Sequence, residues 1–207
     1  MRVSYTTGYH ADIPDDHVFP MKKFAGLHRY LLDKHIVSEE EVVAPSMVDF
    51  SNLVLAHTQR YANAVWTGEL DRKEIRRMGL PWSKSLGVRS RLAVQGTMNA
   101  CLMALQDGLS GNLAGGTHHA MPDHGEGFCV YNDVAVAIRT LQLSKWVSKV
   151  MVIDCDVHQG NGTAEIFRDD DSVYTFSIHG AKNYPFQKPP SNLDIGLPDK
   201  TGDREYH

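Results

Sequence analysis

The feature that most constrains the fold is a pair of short, unbroken apolar runs, Val150-Met151-Val152-Ile153 and Ser172-Val173-Tyr174-Thr175-Phe176, set among helical segments. A strand with one wet face alternates apolar and polar residues. A continuous β-branched run suits a strand of a parallel sheet covered on both faces. Pro20 to Lys34 reads as a helix opened by proline, with Phe24, Leu27, Tyr30 and Leu31 at helical spacing. Ser38-Glu39-Glu40-Glu41 carries a capping box and predicts a helix start. Ser90 to Leu109 and Asn132 to Leu143 each gather small and aliphatic residues on one side. Thr67 to Gly87, polar and interrupted by Pro81, predicts a long irregular crossing. Helices alternating with buried strands predict an α/β chain, a doubly wound three-layer sandwich.

At 207 residues the chain is read as a single domain, 1–207, large enough to build a core without staples. A charged share of 22% beside 42% hydrophobic residues, with a mean hydropathy of −0.32, excludes a disordered or low-complexity chain. A net charge of −4 argues against direct nucleic-acid binding, which needs a basic face. No run approaches the ~18 apolar residues of a membrane span, and Met1 to Gly8 has no apolar signal core. Cys101, Cys129 and Cys155 are far apart and form no C-x-x-C pair. They predict reduced thiols and a cytoplasmic location.

In α/β sheets ligands bind beyond the carboxyl ends of the strands, and unusual residues gather there. The first run leads into Asp154-Cys155-Asp156-Val157-His158-Gln159-Gly160-Asn161-Gly162. Asp154, Asp156 and His158 would point the same way if extended, and their oxygen and nitrogen donors suit a borderline ion such as zinc. A calcium loop would need glycine where Gln159 stands, sixth from Asp154. A glycine nest for phosphate lacks the following Lys-Ser/Thr pair. A second cluster is Gly115-Gly116-Thr117-His118-His119-Ala120, followed by Gly125-Glu126-Gly127-Phe128-Cys129. Adjacent histidines can be ordinary core or surface residues. Beside a metal they suit hydrolysis, one accepting a proton from water and one holding positive charge. A third cluster, Ser177-Ile178-His179-Gly180, closes the second run; Ser177 has no nucleophile elbow and reads as a hydroxyl donating to a nearby carboxylate. Asp169-Asp170-Asp171 reads as a solvated turn.

Taken in order, Gly115 to Ala120, Gly127-Phe128-Cys129, Asn132-Asp133, Asp154 to Gly162 and Ser177 to Gly180 resemble the zinc-dependent histone deacetylase family. The resemblance is greatest to its bacterial acetoin-utilisation-type and class IV-like members, and runs from about His17 to the last residue. It implies the three-layer arginase–deacetylase fold with a mainly parallel central sheet. It also implies zinc-dependent hydrolysis of the acyl amide of acetyl-lysine, in protein, or of a small acylated amine. By position, Asp156 and His158 resemble two of three zinc ligands, and His118 and His119 the tandem catalytic imidazoles. Asp154 resembles the carboxylate that holds His118, and Asn161 the partner of His119. Gly127 and Phe128 resemble the wall of an acyl-lysine channel. Asp154, Ser177 and Ile178, with backbone carbonyls of Asp156 and His158, resemble a structural monovalent-cation site, for potassium. A carboxylate partner favours imidazolium and a neutral amide does so far less, so His118 is expected to be cationic and His119 the neutral base.

Family members continue beyond His207, so the resemblance implies a C-terminal part missing from these 207 residues. With it go the third zinc ligand, an aspartate, and a tyrosine that hydrogen-bonds the oxyanion. An exposed sheet edge and self-association are then expected. Two alternatives stand beside hydrolysis: a noncatalytic remnant that binds acyl-lysine or a partner, and an arginase-like enzyme with two manganese ions. The latter requires more carboxylate and histidine ligands than Asp154 to His158 offer.

Overall fold

A computed structural model describes residues 1–207. Its strands form two parallel three-stranded sheets. In the first, β1 (Val3–Ser4) lies between β2 (Val42–Val43) and β3 (Gly111–Asn112); in the second, β5 (Val173–Gly180) lies between β4 (Val150–Asp154) and β6 (Leu193–Leu197). No ladder joins β3 to β4, so the single sheet expected from the sequence is divided here.

The helices are α1 (Lys23–Asp33), α2 (Phe50–Leu53), α3 (Gln59–Thr67), α4 (Arg72–Met78), α5 (Lys84–Asp107), α6 (Asp133–Leu143), α7 (Asn161–Ile166) and α8 (Asp203–Tyr206). The longest, α5, packs against α6, β1 and β3. The core gathers Tyr9, Tyr61, Leu53, Leu86, Val94, Tyr131 and Val136 between the helices and the sheets. The helix α5 starts earlier than the sequence suggested because Ser83 accepts the Leu86 N–H and caps it. The expected irregular crossing contains α4 for a similar reason. Asp71 and Glu74 form a reciprocal capping box at its start, and Gly79 closes it in the left-handed region at φ +80°. The capping box at Ser38 is also present, yet it opens only a single 3₁₀ turn, Glu39–Glu41, before β2. In α1 only Phe24 is buried, and Leu27 and Tyr30 face outward. The acidic triplet is less solvated than expected: Asp170 pairs with Arg139 and accepts the Ser172 N–H.

The second sheet is covered on one face only, which corrects the expectation of burial on both. Along β4 and β5, Val150, Val152, Asp154, Thr175, Ser177 and His179 turn inward, while Met151, Ile153 and Tyr174 turn outward. Ile153 is 63% exposed. The apolar run is real, but one set of its side chains has nothing packed over it. The inward polar residues at the strand ends are those that build the site.

Candidate active site

The site lies at the carboxyl ends of β4 and β5, where two loops converge on them. The first loop carries the histidine pair and is held by the start of α6. Asp133, fully buried, accepts the backbone N–H groups of Gly116 at 3.0 Å and Thr117 at 2.7 Å, and the hydroxyls of Thr97 and Thr117. Asn132 caps α6 by accepting the Ala135 N–H, and its amide donates to the Ala120 carbonyl at 3.3 Å. From the other side the Thr163 N–H in α7 donates to the His118 carbonyl at 3.1 Å.

The two rings stand 4.0 Å apart, each with its own partner. His118 Nδ1 lies 2.6 Å from Asp154 Oδ2, and His119 Nδ1 lies 2.6 Å from Asn161 Oδ1. Burial disfavours the His118 cation, but the hydrogen bond and charge of Asp154, with Asp156 and Asp133 farther off, overcome it and leave the pKa above 6.5. Burial, aided by the neighbouring His118 charge, pushes His119 down to about 4, and the Asn161 hydrogen bond opposes this only in part. Gly160 makes the first pairing possible, because a Cβ there would run into the Asp154 carboxylate and stand 3.2 Å from His118 Nδ1.

Asp156 and His158 follow β4 and face the same cavity as the histidines. Asp156 Oδ1 accepts the His158 N–H at 2.8 Å and lies 3.0 Å from His158 Nδ1 and 4.0 Å from His118 Nε2. Burial would raise the Asp156 pKa, yet the hydrogen bonds from His158 and the charge of His118 hold it below the usual value. Zinc bonds of about 2.0–2.2 Å place neighbouring tetrahedral donors about 3.3 Å apart. The Asp156–His158 spacing is close to that, so the pair fits as two of the three protein ligands of a catalytic site. No third His, Cys, Asp or Glu joins them in a cluster.

Asp154 and Ser177 are register partners across β4 and β5 and line a void of about 10 Å³, about one water in size. Ile178 follows Ser177 in β5 and lies outside the residues lining that void. Contrary to the sequence reading, the Ser177 hydroxyl bonds no carboxylate; it lies 2.9 Å from His179 Nδ1 within the strand.

The cavity above the histidines has a volume of about 620 Å³, within the range of small-molecule sites. Its wall includes Gly127 and Phe128, Phe19 and Pro20. Gly127 has φ +55°, and a Cβ there would lie 2.6 Å from His119 Cδ2, so only glycine lets this wall press against the ring. Phe128 has φ +64°, an unusual conformation for a bulky residue, tied by its N–H to the Met78 carbonyl at 2.8 Å. Its ring packs 5.6 Å from Phe19 and 5.9 Å from His17.

Four cavity or site residues escaped sequence reasoning. Arg89, buried in α5, lines the cavity and donates to the Tyr9 carbonyl. Glu126, also buried, accepts from Asn161 Nδ2 at 2.9 Å, the Tyr184 hydroxyl at 2.7 Å and Arg77 Nε at 2.8 Å. Arg77 belongs to α4, in the segment read as irregular, and Tyr184 to a loop with no motif. The one signal was a carboxylate set between Gly125 and Gly127.

The family model of the histone deacetylase domain matches residues 17–207. The chain belongs to the histone deacetylase family. It is similar to an uncharacterized protein of Picosynechococcus, 46% identical over 204 residues, covering 99% of this chain and 68% of that protein. It is 33% identical over 181 residues to the acetoin utilization protein AcuC of Bacillus subtilis, covering 83% of this chain and 46% of AcuC. Among solved structures, an HDAC homologue from Aquifex aeolicus superposes with a TM-score of 0.78 at 26% identity, over 95% of this chain and 59% of that one. The fold is therefore the α/β arginase–deacetylase fold. The chain spans about half to two thirds of the length of these relatives. As in the deacetylase reading of the motifs, the histidine pair and the Asp156–His158 pair share one cavity. No helix is long and apolar enough to cross a membrane.

Proposed function

We propose that this chain carries the reacting centre of a zinc-dependent deacetylase that hydrolyses the acyl amide of acetyl-lysine, or of a small acylated amine. The observation that carries the proposal is the pair of adjacent imidazoles with unlike partners, His118 on Asp154 and His119 on Asn161, at one end of a cavity. Asp156 and His158 would hold zinc, which when bound supplies Lewis acidity toward the amide carbonyl and the attacking water. His119, neutral at pH 7, accepts the water's proton at Nε2, since its Nδ1 is committed to Asn161. His118, biased toward its cation by Asp154, opposes the negative charge that develops on the carbonyl oxygen. Gly127, Phe128 and Phe19 enclose the acyl-lysine stem and exclude water from it. We assign Asp154, Ser177 and Ile178 to a structural potassium ion, and the chain to the cytoplasm.

Acetate release from acetyl-lysine peptides and acetylated small amines tests this on a chain extended to the relatives' length. Turnover that requires zinc is expected. Peptide binding without turnover would favour a noncatalytic acyl-lysine module. With two ligands, the 207-residue chain is expected to bind zinc weakly in equilibrium dialysis, and Asp156→Ala to abolish that binding. Tight stoichiometric zinc that survives Asp156→Ala would overturn the ligand pair.

The outward side chains of Met151, Ile153 and Tyr174, beside the unpaired edge of β4, favour contact with a second copy of the chain. Light scattering of the 207-residue protein is expected to give masses above the monomer, and less so for Ile153→Lys. A monodisperse monomer without that substitution would contradict the expectation.

A further inference from the structure

The reactivity of His119 depends on which of its nitrogens carries the proton, and that choice is made two contacts away along a chain of hydrogen bonds. Asn161 presents its carbonyl oxygen to His119 Nδ1 at 2.6 Å, so Nδ1 must donate and Nε2 keeps its lone pair. An amide can equally present its NH₂ group. Turned that way, Asn161 would donate to Nδ1 and drive the proton to Nε2, where it would block the base. Nothing in His119 or Asn161 alone decides between the two orientations.

Glu126 supplies the decision. Its Oε1 lies 2.9 Å from Asn161 Nδ2 and 2.7 Å from the Tyr184 hydroxyl, and its Oε2 lies 2.8 Å from Arg77 Nε and 3.4 Å from His124 Nε2. Every near neighbour is a donor or can act as one. Burial would favour the neutral acid, yet the hydrogen bonds from His124, Tyr184, Arg77 and Asn161 hold Glu126 well below the usual carboxylate range. An ionised carboxylate only accepts, so the Asn161 NH₂ must face Glu126 and the Asn161 oxygen must face His119. We propose that Glu126 is a positioning residue that, through the Asn161 amide, holds His119 in the tautomer whose Nε2 is free to take a proton. The catalytic meaning of that tautomer rests on the deacetylase reading above; the orientation itself does not.

The substitution Glu126→Gln keeps size and shape but makes one end of the group a donor. Arg77 cannot accept a hydrogen bond, so the new NH₂ group is driven toward Asn161, which must then turn its oxygen away from His119. Adding Asn161→Asp restores acceptors on both sides, because a carboxylate can receive from the new amide and from His119 Nδ1 together. Placed alone against the native Glu126, Asn161→Asp sets two carboxylates face to face and should be the poorer protein.

Nitrogen-15 histidine spectra at alkaline pH, where His119 is neutral, read the tautomer without any turnover. The native protein is expected to have His119 protonated at Nδ1, Glu126→Gln at Nε2, and the double variant at Nδ1 again. In a chain extended to the relatives' length, kcat should fall about 10- to 100-fold in Glu126→Gln with KM little changed, and recover in the double variant. A loss due only to disturbed packing would not be rescued by a second substitution. An Nε2-protonated His119 in the native protein would overturn the proposal even if Glu126→Gln failed to fold. An unchanged tautomer in a folded Glu126→Gln protein would overturn it as well. Absence of turnover in the native protein would instead count against the deacetylase reading, and the tautomer measurement would still decide the role of Glu126.

Discussion

Replacing His119 by alanine, in a chain extended to the relatives' length, is expected to lower kcat by on the order of 10²–10⁴, the usual contribution of a positioned general base. Zinc content should not change. His119 Nδ1 is committed to Asn161, burial keeps the ring neutral down to about pH 4, and the residues read as metal ligands are Asp156 and His158. In the proposed function the ring therefore acts on water, while metal affinity depends on the other pair. Gly127 presses against the His119 ring, so alanine leaves a gap there and a small loss of stability, which thermal unfolding would register separately. Near-native turnover in His119→Ala, or loss of zinc together with turnover, would assign this residue a different role.

Unfolding free energy is expected to fall by about 3 kcal/mol between about pH 6.5 and about pH 4 on account of His57 alone. His57 is 3% exposed, with Nδ1 3.0 Å from the Met121 carbonyl and Nε2 accepting the Asn132 N–H at 2.9 Å. Both nitrogens are occupied in the neutral ring, and a proton on Nε2 would set two N–H groups against each other. Burial accordingly lowers the pKa from 6.5 to about 4. The unfolded chain thus takes up the proton first. The stability is fully present above 6.5 and is lost as the pH falls toward 4. His119 is shifted the same way and adds to the loss, whereas the raised pKa of His118 affects stability only as the pH rises through it. Denaturant titrations at about pH 7 and about pH 4.5 measure the difference, and His57→Gln should shrink it. A flat profile in the native protein would show that His57 protonates without cost. Because His57 holds Met121 and Asn132, which flank the histidine loop in space, mild acid should loosen that loop first.

The local part of this protein was legible in its sequence. The apolar runs are parallel strands, the Asp154 to His158 spacing places a carboxylate on a strand end and two donors just beyond it, and the family motifs lie in their expected order. Errors came where a local signal had two outcomes. The Ser38 box caps one 3₁₀ turn because β2 begins directly after it, and the polar segment from Thr67 to Gly87 forms α4 because Asp71 and Gly79 cap both of its ends.

Residue type and short-range spacing settled the class of fold and marked the imidazole pair and the Asp156–His158 donors as candidates, since these depend on neighbours a few residues apart. Spacing did not reach the partner that each imidazole receives; the family resemblance named Asp154 and Asn161, and the tertiary structure brings them to the two rings. His118 meets a carboxylate 36 residues away and His119 an amide 42 residues away. The amide is oriented in turn by Glu126, itself held by Arg77 from a helix and Tyr184 from a loop. Those contacts follow from how α4, α7 and the loop after β5 pack around the strand ends. Proton affinity and tautomer are set by groups within hydrogen-bond reach, so the chemistry of two adjacent histidines separates only after distant segments have been brought together.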